Sequence, residues 1–349
     1  MRLGKTHYFS DPGPLRQVRL VVAFAILISA LSACGSPRSW GEWNSIIVAT
    51  SADEWGAIGE MVETALESRV LTVRPEKTFR VTHQVPVGNE WGMLQRFRQL
   101  LVIGTMEDPW MTEVLRLSER ESLNPPEIFQ VEDVWARGQV VTVLLLSRRG
   151  GEEAAELMEP LHDLLDGQYR RWVQDRMYMS GRNTALADTL WDQASFRLVL
   201  PDLYRRRTED SVFMFRNDNP DPSELIRQVT VTWRTPMPED MGNKDVLTWR
   251  QEVADGHFGY PQVMDLELAE TRKLQQGDLV FDEIRAVWAN PPEDLFPAGG
   301  PMIIRSIPCP EQGRHYLLDA WLYAPSRDKY QYVLQLETIL DSFRCSNSG

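Results

Sequence analysis

Residues 263–288 read V-M-D-L-E-L-A-E-T-R-K-L-Q-Q-G-D-L-V-F-D-E-I-R-A-V-W, two long runs separated by Gln276-Gly277-Asp278. That tripeptide is a turn signal, so Val263–Leu274 and Leu279–Trp288 read as neighbouring antiparallel strands. Working outward, Met302–Ile307 and Tyr316–Tyr323 follow on the C-terminal side, set off by turn signals at Pro291-Pro292 and Gln312-Gly313. On the N-terminal side, Phe196–Leu200, Val212–Arg216 and Gln228–Arg234 read as further strands, with a helix across Val246–Ala254. From about Asp328 to Phe343, apolar Tyr332, Val333, Leu336, Ile339, Leu340 and Phe343 recur at helical spacing. A terminal helix covering an antiparallel sheet is the expectation for this half.

The preceding half mixes its elements more closely. Ser45–Thr50 reads as a buried strand, and Ser51-Ala-Asp-Glu54 as a capping box. The helix it opens carries Trp55, Ile58, Val62, Ala65 and Leu66 on one face. Phe79, Val81, His83 and Val85 alternate as a strand, Gln99–Gly104 is another, and Asp108–Leu117 is helical. Ile128–Trp135 and Gln139–Ser147 read as a hairpin turning at Arg137-Gly138. The longest helical pattern, Glu152–Met179, contains Pro160, which should bend or divide it. The fold class is therefore α+β: two mixed α/β parts, the second a mainly antiparallel sheet covered by a C-terminal helix. The boundary is placed at Ser180-Gly181-Arg182-Asn183, giving an N-terminal domain over 45–180 and a C-terminal domain over 181–349.

Location is written near the start. Arg16 and Arg19 lead into an apolar run from Leu20 to Leu31, followed by Ser32-Ala33-Cys34. The run is too short to span a bilayer, which takes about 20 residues, and suits a signal peptide. Leu31-Ser-Ala-Cys34 resembles a bacterial lipobox, in which cleavage leaves the cysteine as a lipid-modified N-terminus. Residues 1–33 are then a lipoprotein signal peptide, Cys34 is the lipidation site, and 34–44 are a membrane tether. The alternative is an ordinary secretory signal. Gly35 rather than Asp after the cysteine suggests the outer membrane, facing the periplasm. The tether spans at most about 35 Å, so the folded body stays close to the membrane.

Of 349 residues, 43% are hydrophobic and 25% charged, a globular balance. The net charge is −13, and the first 33 residues are themselves basic, so the trimmed chain is more acidic still. That argues against nucleic acid and against a polybasic grip on anionic lipid. Besides Cys34 there are only Cys309 and Cys345. An exported compartment permits them to form one disulfide; the alternative is two free thiols.

Arg285-Ala-Val-Trp288, then Ala298-Gly-Gly-Pro301, then Asp319-Ala-Trp-Leu-Tyr-Ala-Pro325 and a terminal helix follow in order. Together with Pro75-Glu76-x-x-Phe79 and Gly256-His-Phe-Gly259, this run resembles the bacterial lipoproteins grouped as domain of unknown function (DUF) 4837. The resemblance implies a lipoprotein over nearly the whole mature chain and brings no catalytic residues with it. The strand-rich half closed by a helix also looks like the PsbP/Mog1-type α+β arrangement, a likeness of fold that says nothing of function.

Recognisable catalytic patterns are missing from this sequence: no G-x-S-x-G, H-E-x-x-H, P-loop or G-x-G-x-x-G occurs. His83, His162, His257 and His315 have no metal-ligand spacing, and neither a metal nor a cofactor is expected. Ser326-Arg-Asp-Lys329 has the S-x-x-K spacing, but Ser326 reads better as a helix N-cap. His83 shares a strand face with Phe79, Val81 and Val85 and reads as a satisfied, half-buried histidine. Five residues remain as loop or ligand candidates. His257 lies between glycines in a loop, and Arg285 pairs with Glu283 two residues earlier on one strand face. Trp288 reads as core, and Gly299-Gly300 as a backbone turn needing positive φ before a strand.

Twelve tryptophans are present. Trp55, Trp172 and Trp321 match apolar faces, and Trp40 and Trp43 could settle at a membrane interface. Exposed ones could stack on sugars or partner proteins. The leading expectation is a membrane-anchored envelope lipoprotein that binds an envelope protein or small ligand without catalysis. The rival is an envelope hydrolase using dispersed acids and His257.

Overall fold

In the computed structural model, which describes residues 36–294 and 297–345, Gly277 holds φ +59° and the chain folds back upon itself there. Cys34 and the addressing segment lie outside the described residues. In chain order the described strands are β1 (Ser45–Ala49), β2 (Arg69–Val70), β3 (Glu76–Lys77), β4 (Arg80–Gln84), β5 (Gln99–Gly104), β6 (Glu127–Glu132) and β7 (Val140–Leu145). They continue as β8 (Arg205–Glu209), β9 (Val212–Asn217), β10 (Ile226–Arg234), β11 (Val263–Gln276), β12 (Leu279–Ala289), β13 (Gly299–Cys309) and β14 (Arg314–Tyr323). The helices are α1 (Ala52–Leu66), α2 (Gly88–Leu94), α3 (Pro109–Leu117), α4 (Gly151–Met177), α5 (Thr184–Ala194), α6 (Asn243–His257) and α7 (Tyr330–Asp341).

Two compact units interleave in sequence: among the described residues, one takes 36–42, Ile47–Ser51 and His83–Ser147, the other Trp43–Ile46, Ala52–Thr82 and those from Arg148 to Cys345. A single cut at 180/181 therefore does not separate them. Helices α1 and α4, written in the first half of the chain, belong with the second.

The first unit is built on a sheet of order β4-β1-β5-β7-β6. Strands β1, β5 and β7 run parallel, Ile47 opposite Leu100 and Leu100 opposite Val141. Their sequences, S-I-I-V-A, Q-L-L-V-I-G and V-V-T-V-L-L, are near-continuous apolar runs, as strands buried on both faces require. β6 returns antiparallel to β7 as the hairpin signal predicts, with Gly138 at φ +73°. Trp91, Phe97, Met111, Val114, Phe129 and Val143 fill the core on one side of this sheet.

The second unit carries the antiparallel sheet, of order β11-β12-β13-β14-β10-β9-β8. Met302 faces Trp321 across β13 and β14, and Ala286 faces Met302 across β12 and β13. Val246, Trp249 and Val253 of α6, three or four residues apart, pack on one face against Ile284, Trp288, Ile304 and Trp321. α7 lies against the other face, with α4 packed outside it. That position explains a helix buried nearly all round, Tyr330, Tyr332, Val333, Leu334, Leu336, Ile339 and Leu340 included.

Several expectations need correction. Helix α4 runs unbroken for 27 residues through Pro160, which sits on the exposed side. The carbonyl it strands can turn to water, while Met158, Leu161 and Leu165 anchor the helix on both sides of it. Phe196–Leu200 is extended but joins neither main sheet; Arg197 makes a lone antiparallel bridge to Arg344, and Phe196, Leu198 and Leu200 are buried. β8, R-R-R-T-E, has no apolar period because it is a fully exposed edge strand. Helix α5 starts inside the presumed boundary, where the Asn183 side chain accepts from Leu186 N at 3.0 Å. Helix α7 starts at Tyr330 with Lys329 as its N-cap, so Ser326 is not the cap.

Cys309, at the end of β13, and Cys345, beyond α7, are joined as a disulfide with Cα atoms 6.5 Å apart. The bridge closes a loop over 36 residues, worth about 3–4 kcal/mol on the chain-entropy model. Reduction, or Cys345→Ser, is therefore expected to lower the unfolding free energy by about that amount. Chemical denaturation with and without reductant measures it.

A candidate binding cleft on the antiparallel sheet

Register places charge in rows on the α7 face of the sheet. Arg272 of β11, Glu283 of β12 and Arg305 of β13 are mutual cross-strand partners, and Glu270 stands opposite Arg285. Glu283 is completely buried, so its carboxylate needs compensation from every side. Arg305 Nε donates to Oε2 at 2.8 Å, while Arg272 Nε and Arg285 Nε each donate to Oε1 at 2.9 Å. Burial pushes the Glu283 carboxyl up, but Arg305, Arg285 and Arg272 outweigh it and hold the group below the usual carboxylate value.

The row is tied to the helices above. Glu337, a buried acid on the largely buried α7, accepts from Arg285 Nη2 at 2.5 Å and from Arg170 Nη1 of α4 at 2.7 Å. Arg170 Nε also donates to Asp166 at 2.5 Å, and the Tyr330 hydroxyl donates to the same carboxylate. Burial and then Asp166 raise the Tyr330 phenol well above its ordinary value. Arg305 Nη2 reaches Asp341 at 2.7 Å at the far end of α7. Four guanidiniums and four carboxylates thus form one neutral network joining sheet, α7 and α4.

Over this network opens a cleft of ≈ 340 Å³. Arg285, Arg170, Glu337 and Tyr330 line it, with Met302 and Ile303 of β13, Leu268 and Glu270 of β11, and the hairpin segment Arg69–Val73. That hairpin is fastened to the start of α7: Glu76 accepts from Lys329 N at 2.8 Å and Lys329 Nζ at 2.5 Å. Arg69 and Glu270 are exposed and form no ion pair among the described residues. The cleft therefore has a rigid charged floor, apolar walls and one unpaired charge of each sign at its rim.

Of the sequence-derived candidates, Arg285 alone lines the cleft, and its pairing with Glu283 is as expected. His257 is not a loop residue: it ends α6, with Nδ1 3.7 Å from Glu209 of the edge strand β8. Trp288 is buried, and its Nε1 donates to Leu322 O at 3.1 Å. Gly299 and Gly300 lie inside β13 opposite Ala289 and Trp288, without positive φ. What Gly300 supplies is space, since a Cβ there would sit 1.9 Å from Leu322 O. His83 Nε2 meets Thr50 O at 3.1 Å, as a satisfied histidine should. Trp55 and Trp172 are half-buried rather than core, whereas Trp321 is fully buried. Trp43 stacks on Trp172 at 5.5 Å between ring centroids.

Sequence reasoning missed Arg69, Arg170, Glu270, Tyr330 and Glu337. Glu337 had a signal, an acid inside a largely apolar helix, which is kept there only when paired. It also missed Ser306 and His315, adjacent strand residues whose Oγ and Nε2 lie 2.7 Å apart. Burial lowers the pKa of that imidazole from its usual value, which favours its neutral form. Both are buried within a strand ladder whose amides are already spent, which suits an interior hydrogen bond better than a nucleophile. No cluster of three or more metal-ligating side chains occurs among the described residues.

Residues 183–342 match the model of the family described as Domain of unknown function (DUF4837). No curated protein matches the chain. Among solved structures it is similar to cyanobacterial PsbP (CyanoP) from Synechocystis sp. PCC 6803, at 12% identity and a TM-score of 0.29, over 43% of this chain and 86% of that one. It is also similar to the Saccharomyces cerevisiae Ran-binding protein Mog1p, at 10% identity and a TM-score of 0.30, over 43% of this chain and 90% of that one.

Proposed function

We propose, from the premise that residues 183–342 form a DUF4837 domain, that the protein is a lipid-anchored component of the bacterial envelope that binds a ligand or partner protein without catalysis. The charged cleft is its binding surface. The observation that carries this reading is the division of charge there. Floor residues Arg285, Arg170 and Glu337 are committed to one another, whereas Arg69 and Glu270 at the rim are unpaired. Fixed groups of this kind recognise shape and charge; a general base or nucleophile would need a proton or electron pair to spare.

The anchor rests on Leu31-Ser-Ala-Cys34 and the apolar run before it. One acyl chain holds a protein only marginally, while two or more hold it stably. Against the hydrolase alternative stands the position of His257, whose neighbour is one glutamate on an edge strand rather than acids around a cavity.

Affinity capture of the full-length protein from its own envelope tests the binding role. Species enriched with wild type should fall severalfold with Arg69→Glu and with Glu270→Lys. The same species retained by both variants would rule the cleft out. A folded His257→Ala protein that cannot complement a deletion strain would favour the hydrolase.

A further inference from the structure

The floor of the charged cleft holds more hydrogen-bond donors than acceptors. Glu337, Asp166 and Glu283 already accept through both of their oxygens: Glu337 from Arg285 and Arg170, Asp166 from Arg170 and Tyr330, Glu283 from Arg272, Arg285 and Arg305. A guanidinium carries five N–H groups. Arg285 donates only through Nε and Nη2, and Arg170 only through Nε and Nη1, so Arg285 Nη1 and Arg170 Nη2 have no acceptor among the described residues. These floor arginines are committed as charges but not as donors. Their side chains are 24% and 47% exposed, so the spare nitrogens are open to the cleft rather than sealed beneath it. Arg69 adds a whole guanidinium at the rim. The opposite sign is close by: Glu270 stands directly across from Arg285 in the β11–β12 ladder, where Cβ atoms lie about 4.5–5.5 Å apart.

Resting on the reading of this cleft as the binding surface, we propose that its ligand is a small zwitterion with an apolar body: an apolar α-amino acid or a dipeptide of such residues. A carboxylate takes the spare N–H groups of Arg285, Arg170 and Arg69 in charge-assisted bonds. An ammonium one or two residues' length away takes Glu270. The apolar side chains lie against Met302, Ile303, Val333 and Leu268. Charge selects among the alternatives. A lone anion is set beside Glu270, and a lone cation beside Arg285 and Arg69, each a like-charge contact that costs affinity. A neutral molecule displaces water from the spare donors and gives them no strong acceptor in return. A zwitterion answers both signs and leaves the neutral network neutral. Size bounds the ligand: a cavity of about 150 Å³ holds benzene, so ≈ 340 Å³ admits about two groups of that bulk. The ion pairs of the floor are formed before the ligand arrives, so little ordering cost falls on binding.

The test titrates the full-length protein, in a non-ionic detergent, with L-leucine and L-leucyl-L-leucine by calorimetry and saturation-transfer NMR. N-acetyl-L-leucine and L-leucinamide keep the side chain and carry one charge each. At least one zwitterion should bind saturably, the tighter of the two telling amino acid from peptide. Each single-charge analogue should bind about tenfold more weakly, the scale of one hydrogen bond to a charged group. Glu270→Gln should weaken the zwitterion about tenfold and leave N-acetyl-L-leucine no weaker. Arg69→Gln should weaken the zwitterion and N-acetyl-L-leucine alike and leave L-leucinamide no weaker. Both residues are exposed, so both variants should melt with wild type. Failure of both zwitterions to bind overturns the proposal, as does equal binding of a single-charge analogue or indifference to both variants. Envelope capture lost in Arg69→Glu while no zwitterion binds refutes the ligand class alone; capture kept in Arg69→Glu and Glu270→Lys refutes the cleft itself.

Discussion

Glu283→Gln is expected to lower the unfolding free energy by about 3–5 kcal/mol, the range for removing one partner from a buried ionic group. The reason is asymmetric. The variant does not merely lose attraction; it leaves Arg305, only 3% exposed at its side chain, and its neighbour Arg285 facing a neutral amide. An exposed pair such as Arg148–Glu152, at 70% and 88%, should cost less than about 1 kcal/mol when broken. Comparing Glu283→Gln with Glu152→Gln by urea denaturation separates burial from charge count. Acid dependence supplies an independent check. Glu283 has a folded pKa below its unfolded value of 4.5, so its stabilisation is present above 4.5. It is lost as pH falls from there through the lowered folded value. Wild type should therefore lose stability on acidification in that window, and Glu283→Gln should lose less.

Gly300→Ala should be the most damaging conservative change in the sheet, costing about 3 kcal/mol, the upper end for overpacking. The added methyl carbon would lie 1.9 Å from Leu322 O, a backbone atom of the next strand that cannot rotate away. β13 would have to separate from β14, and the Trp288 bond to that carbonyl would be lost with it. Gly256→Ala is the control. Nothing lies within 4 Å of its added carbon and the residue is helical, so stability should hold or rise by up to about 1 kcal/mol. Thermal melts of the two variants should move in opposite directions or not at all for the second.

The sheet was legible in the sequence because its strands are long, apolar on one face and punctuated by Gly277 and Gly313. Strand β8 was not, because an edge strand made of three arginines, a threonine and a glutamate has nothing to bury. The interleaving of the units was hidden too. Which partner an amphipathic helix such as α4 chooses is decided by long-range packing, and its own periodicity is the same either way. In the site, Glu283–Arg285 could be read as neighbours two residues apart. Glu337 and Arg170 reach the same cluster from 52 and 115 residues' distance in chain order, a separation that local spacing cannot bridge. The Gly299-Gly300 reading had the right residues and the wrong physics, since a missing Cβ was needed for close approach and not for backbone conformation.

The most direct test of the account is metabolic labelling with radioactive palmitate in the native cells, followed by membrane fractionation of wild type and Cys34→Ala. The account predicts label and membrane recovery for wild type, and an unlabelled variant released from the membrane. Equal labelling of the two proteins, or wild type recovered entirely as a soluble protein, would contradict it.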